Sequence, residues 1–186
     1  MVLQHLWKRK NLNFPINLQR SVIYAENNNE PDVKIRPFQL PDQKNVVELW
    51  IKCGLVVSHN NPILDIERKL MVNPEWFLVG EIDGDVIATC MAGFEGHRGW
   101  INYLAVRPDL QGYGFGKMIM ERAEALLKAA GCPKINLQIR STNQNVIGFY
   151  ESLGYRQDPV VSMGKRLIPD NPCPAEQCGA TGPMKI

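Results

Sequence analysis

Gln111-Gly112-Tyr113-Gly114-Phe115-Gly116 decides the fold, read with Trp100-Ile101-Asn102-Tyr103-Leu104-Ala105-Val106 before it and Lys117-Met118-Ile119 after it. The leading segment reads as a strand, Arg107-Pro108-Asp109-Leu110 as a connector, and the chain from Phe115 onward as an amphipathic helix. Three glycines in six residues at a strand-to-helix junction leave backbone N–H groups unshielded by side chains. The helix N-terminus adds partial positive charge to them. Such a junction suits an anion, most simply a phosphate or pyrophosphate.

Two better-known glycine motifs fail here. A phosphate loop of the Walker type needs Ser or Thr after its lysine to hold magnesium, and Lys117 is followed by Met118. A dinucleotide fingerprint spaced from Gly112 and Gly114 needs a third glycine at 117, where Lys117 stands. What remains is Gln-x-x-Gly-x-Gly, which alone competes with a plain loop at a helix start. A second segment breaks that tie. Asn143 is followed seven residues later by Tyr150, and then by Leu153-Gly154-Tyr155.

The two segments, in this order and with a helix and a short strand between them, resemble the GCN5-related N-acetyltransferases (the GNAT superfamily). The likeness covers about residues 33–167. Several local strings resemble the YpeA-like bacterial subgroup more closely: Asp65-Ile66-Glu67-Arg68-Lys69, Gly96-His97-Arg98-Gly99, Gly131-Cys132-Pro133-Lys134-Ile135 and Gly164-Lys165-Arg166-Leu167.

Working outward, residues 33–38 alternate like a first strand. Asp42 precedes a helical period through Cys53, which Gly54 ends, and Asn60-Asn61-Pro62 opens a helix over 63–72. Residues 76–82 and 86–94 read as strands joined by the hairpin signal Asp83-Gly84-Asp85. The strand over 100–106 follows a turn at Glu95-Gly96-His97-Arg98-Gly99. The long helix is expected to bury Phe115, Met118, Ile119, Ala123, Leu126, Leu127 and Ala130, with Gly131 closing it. A strand over 134–139, a helix over 144–153 and final strands at Tyr155 and over 160–165 complete the order β-α-α-β-β-β-α-β-α-β-β. The resemblance implies an α+β fold, a mostly antiparallel sheet flanked by helices, with acetyl-CoA in the splay between the fourth and fifth strands.

Composition sets the frame. The chain of 186 residues suits one domain, and 45% apolar content is ordinary for a globule. No apolar run approaches the ~20 residues that span a bilayer. A net charge of +2 gives no argument for nucleic-acid or membrane binding. Five cysteines, an odd number, fit reduced thiols better than a disulfide framework. Cys173 and Cys178 lack a second ligand pair, so no metal is expected. Residues 1–32 form a basic extension, read as disordered or targeting; residues 33–168 form the catalytic domain; residues 169–186 form a proline-bearing tail. Cytoplasmic residence is expected, or an organelle if the extension is a transit peptide. No pattern speaks to monomer or homodimer.

The resemblance implies transfer of an acetyl group from acetyl-CoA to an amine acceptor, a small molecule or a protein, by direct attack in a ternary complex. Backbone amides at Gly112, Tyr113, Gly114, Phe115 and Gly116, edged by Gln111 and Lys117, would hold the diphosphate. The N–H of Val106 would polarise the thioester carbonyl, with Leu104 and Ala105 lining the pantetheine path. Tyr150 takes the general-acid position, Asn143 would bond near the pantetheine, and Phe149 would pack beside CoA. The strand over 100–106 carries no carboxylate, which leaves Glu95 and His97 in the preceding turn as the nearest candidate bases. Asp65, Glu67 and His59 could face the acceptor, although Asp65 and Lys69 at i,i+4 read first as a surface pair. The competing function is a non-catalytic acetyl-CoA-binding or sensor domain.

Overall fold

The computed structural model describes residues 32–57 and 60–170. The expectations for the basic extension, apart from Asp32, and those for His59 and for Cys173 and Cys178, lie outside the described residues. Five strands are β1 (Lys34–Pro37), β2 (Phe77–Ile82), β3 (Asp85–Phe94), β4 (Gly99–Val106) and β5 (Ile135–Asn136). Four helices are α1 (Gln43–Lys52), α2 (Pro62–Leu70), α3 (Phe115–Ala129) and α4 (Gln144–Ser152). The sheet order is β1-β2-β3-β4-β5, antiparallel throughout except for the parallel β4–β5 pair.

Local chemistry explains most of these elements. Asp83 and Gly84 both take positive φ, 51° and 82°, as a tight hairpin turn between β2 and β3 requires. Asn61 caps α2, its Oδ1 accepting from the N–H groups of Ile63 at 3.0 Å and Leu64 at 3.3 Å. Asp42 does not cap α1. Its carboxylate instead accepts from Gln39 N–H at 2.8 Å and from Arg36, which also bonds Glu81, so β1 is pinned to the approach of α1 and to β2.

β3 is buried along almost its whole length because helices cover both of its faces. On one side Trp50, Val46 and Ile66 pack with Phe77 and Val79. On the other, α3 buries Phe115, Ile119, Met120, Ala123 and Leu127. Met118 and Ala130 do not join that stripe. At about 100° per residue Met118 lies on the far side of Phe115 from Ile119, and it is 39% exposed. Ala130 follows the last helical turn and is exposed.

The C-terminal part departs most from expectation. β5 is two residues long, and neither Tyr155 nor residues 160–165 form strands. Val160 N–H donates to Asp158 C=O at 2.9 Å, a three-residue turn around Pro159 that takes a donor a ladder would use. Side chains then hold this segment beside β5: Lys134 bonds Asp158, and Gln138 donates to Ser162 Oγ at 2.5 Å. The expected tail is anchored at its start, where Asp170 accepts from Arg68 Nη2 of α2 at 2.5 Å.

Candidate active site

β4 is the element around which the site forms. It pairs with β5 only at Gly99↔Ile135 and Trp100↔Asn136, so its remaining edge opens into a splay. Against β3 it carries a bulge: Thr89 faces Ala105 while Met91 faces Asn102, which places one extra residue on β4. Tyr103 absorbs that extra residue with φ of 50°. The buried Thr89 hydroxyl holds the displaced backbone, donating to Tyr103 C=O at 2.9 Å while accepting from Trp50 Nε1 at 2.8 Å. Thr89→Val keeps the shape and removes both partners. Leaving a buried indole N–H and a carbonyl unpaired costs ~1–3 kcal/mol each, so urea unfolding should show a loss of about 3 kcal/mol.

The glycine loop sits at the mouth of the splay. A short 3-10 turn, Pro108–Leu110, leads in from β4, and Gln111 Nε2 folds back to donate to Val106 C=O at 3.0 Å. Cys53 Sγ donates to the same carbonyl at 3.3 Å, so the last peptide of β4 is fixed from two sides. Gly112 and Gly114 have φ of 86° and 88°, and a Cβ on either would meet nothing within 4 Å. Their surroundings are open space, as a cradle requires. The first bond of α3 runs from Met118 N–H to Gly114 C=O at 3.0 Å, which leaves the amides of Phe115, Gly116 and Lys117 outside the helical ladder. Lys117 is exposed at the rim, and Tyr113 stands exposed beside Phe115.

Gly116 has a different task. A Cβ there would lie 3.2 Å from the Phe149 ring and 3.6 Å from Val106 Cγ2. Glycine at 116 lets α4 dock against the first turn of α3, and this contact ties the two sequence motifs together. Phe149 is therefore packed on Gly116. Ala105 is buried in the core, while Leu104 and Val106 are half-buried.

Tyr150 follows Phe149 into the interior and is 7% exposed. Its ring meets Phe149 and Tyr155 edge to face, with centroids 5.1 and 5.4 Å away. Among the described residues its hydroxyl has no hydrogen-bond partner, and Tyr150 is one of the residues lining a cleft of about 1140 Å³, with Trp100, Leu127 and Tyr155. Burial, with the neighbouring Cys90, holds the phenol well above the ordinary tyrosine range. Cys90 itself is pushed up to about 12 by burial. Cys90 stands on β3 next to Thr89, and neighbouring strand residues point to opposite faces, so Tyr150 lies at the level of the bulge on the face away from Trp50.

Other expected residues take humbler positions. Asn143 caps α4, its Oδ1 accepting from Val146 N–H at 3.3 Å. Glu95 is exposed, and its carboxylate accepts from His97 N–H at 3.1 Å and Arg98 N–H at 2.9 Å. Those amides hold it below its ordinary range as a turn anchor. From Cys90 to Glu95 is five strand steps, about 16 Å at ~3.3 Å each. The fold therefore brings Tyr150 to the bulge and leaves Glu95 and His97 beyond the end of β3. Asp65 does not pair with Lys69. It accepts from Arg68 Nη1 at 3.0 Å and from the Tyr103 hydroxyl at 2.6 Å, while Lys69 Nζ donates to Ala92 C=O at 2.6 Å. Glu67 is exposed. Thr89, Trp50 and Tyr103 were invisible in the sequence, because the bulge that gathers them changes no residue type.

The family model described as the acetyltransferase (GNAT) family matches residues 44–155, from the start of α1 to just beyond α4. Splayed sheet, glycine loop and docking helix thus define an acetyltransferase. The chain belongs to the acetyltransferase (GNAT) family. An acetyltransferase of Yersinia enterocolitica is 46% identical over 138 residues, covering 74% of this chain and 98% of that protein. An acetyltransferase of Sodalis glossinidius is 47% identical over 139 residues, with the same shares of the two chains. Among solved structures, AAC(6')-Iy in complex with a bisubstrate analogue, CoA-S-monomethyl-acetylneamine, superposes with a TM-score of 0.60 at 16% identity, covering 72% of this chain and 98% of that one. At that identity the likeness speaks for the fold.

Proposed function

We propose that this protein transfers the acetyl group of acetyl-CoA to a primary amine, a protein N-terminus, a lysine or a small amine, by direct attack in a ternary complex. The observation that carries this reading is the open glycine cradle at the mouth of the β4 splay, with Tyr150 buried at the bulge behind it. The amides of residues 112–116 would hold the CoA diphosphate, with Gln111 and Lys117 at its edges. The Val106 N–H would face the thioester oxygen, where one such donor is worth ~3 kcal/mol as negative charge develops. Tyr150, kept protonated by burial, would give its proton to the departing CoA sulfur. The Asn143 side-chain amide and the Phe149 ring would flank the pantetheine.

The catalytic domain in this reading is residues 33–168, and its compartment is the cytoplasm. The bacterial relatives support that placement. So do the free thiols of Cys53, Cys90 and Cys132. Among the described residues no helix is long and apolar enough to cross a membrane, and no group of three or more His, Cys, Asp and Glu is placed to hold a metal ion. Thiol release from acetyl-CoA, measured against a panel of peptides, amino acids and polyamines, is expected to reveal at least one acceptor. CoA binding without thiol release across the panel would instead favour an acetyl-CoA-binding module.

A further inference from the structure

The face of β4 opposite Tyr150 carries a second tyrosine in a built polar setting. Tyr103 holds a left-handed conformation, φ 50°, that a bulky residue adopts only under strain. Its ring lies on the Trp50 indole, centroids 4.0 Å apart. The hydroxyl donates to Asp65 Oδ2 at 2.6 Å and accepts from Asn60 Nδ2 at 2.6 Å. Asn60 cannot turn its amide around at no cost, because its Oδ1 accepts from Val57 N–H at 2.7 Å. Asn60 therefore presents N–H to Tyr103, and the Tyr103 proton is directed at Asp65. The Asp65 side chain is 23% exposed and opens onto solvent beside Arg68. The charged groups acting on Tyr103 are Asp65 from α2 and Asp170 from the C-terminal segment; Arg68 pairs with both, and Arg166 with Asp170. Trp50 of α1 adds none.

We propose that Tyr103 and Asp65 are the proton-accepting relay for the acceptor amine, a role that rests on the acetyl-transfer reading. An alkylammonium of pKa near ~10 is protonated at neutral pH and has no lone pair to attack with. One N–H proton passes to the free lone pair of Tyr103 Oη as the Tyr103 O–H proton passes to Asp65 Oδ2. The freed nitrogen lone pair forms the C–N bond at the thioester carbon, and the C–S bond then breaks with its electron pair leaving on sulfur. Tyr150 protonates that sulfur and regains a proton from the nitrogen through solvent, while Asp65 sheds its proton to water. The balance is one ammonium and one thioester converted to one amide, one thiol and one proton. No carboxylate stands on β4, and Glu95 is about 16 Å along the sheet; the Tyr103 backbone is at the bulge, and its hydroxyl reaches the Asp65 carboxylate.

The test is the pH–rate profile of wild type, Tyr103→Phe and Asp65→Asn with the best alkylamine of the panel. General-base catalysis is worth 10²–10⁴-fold, so both variants should lose about 10²-fold in kcat/KM at pH 7. The deficit should shrink steadily as pH climbs toward the amine's own pKa, where the free amine needs no base. CoA affinity should stay within about threefold of wild type. Tyr103→Phe keeps the ring on Trp50, so its thermal unfolding midpoint is expected near wild type and guards against misfolding of Asp65→Asn. A deficit constant with pH marks a structural role and overturns the relay, as does unchanged turnover. If wild type releases no thiol with any amine, the relay and the acetyl-transfer reading fall together; if wild type is active and the deficit is flat, the relay alone falls.

Discussion

Tyr150→Phe should lower kcat by about 10³-fold while CoA affinity stays within about threefold of wild type. The substitution keeps the ring against Phe149 and Tyr155 and removes one hydroxyl that holds up no other residue among those described. Packing is therefore spared, and so is the glycine loop. What is lost is the proton for the CoA sulfur, and positioned acids of this kind contribute 10²–10⁴-fold. A 10³-fold loss corresponds to ~4 kcal/mol of transition-state stabilisation. Because burial raises the phenol above its ordinary ~10, Tyr150 stays protonated through neutral and mildly alkaline pH, and the falling limb of the wild-type profile should lie above pH ~10. Steady-state kinetics with CoA titration calorimetry checks both halves. Unchanged turnover removes Tyr150 from the mechanism; equal losses in turnover and affinity make it a packing residue.

Gly114→Val should weaken CoA binding by about 10²-fold or more. Gly114 takes φ of 88°, which a β-branched residue adopts only under strain. The new side chain would also rise into the open space above the loop amides, where no protein atom lies within 4 Å of the added Cβ. Both effects act on the diphosphate contact. Pantetheine, which lacks the diphosphate, should accordingly bind variant and wild type alike. Equal weakening of pantetheine and CoA would show that the loop shapes the whole groove rather than the diphosphate site.

The glycine loop and the Asn143–Tyr150 spacing were legible in the sequence because glycine content, helix starts and short spacings are local signals. The hairpin at Asp83-Gly84 and the cap at Asn61 were legible for the same reason. The reason for glycine at 116 was not, since it depends on Phe149 arriving from another helix. The bulge at Tyr103 was hidden as well, because an extra residue in an apolar strand leaves composition and pattern intact. Asp65 and Lys69 show how a local rule loses to tertiary partners. Their i,i+4 spacing predicts a pair, yet Tyr103, 38 residues away, takes the carboxylate, and the Ala92 carbonyl takes the ammonium. The last strands failed on similar grounds. Residues 160–165 have β-branched and apolar content, but the turn around Pro159 and side-chain bonds to Lys134 and Gln138 replace a backbone ladder.

Direct transfer within a ternary complex is tested most simply by mass spectrometry of the protein mixed with acetyl-CoA, first alone and then with an acceptor amine. No acetyl adduct on the protein is expected without the amine. With the amine, one acetylated product is expected for each thiol released. An acetylated protein that forms and decays fast enough to carry the turnover would contradict direct attack, and bound acetyl-CoA that never yields thiol would contradict catalysis.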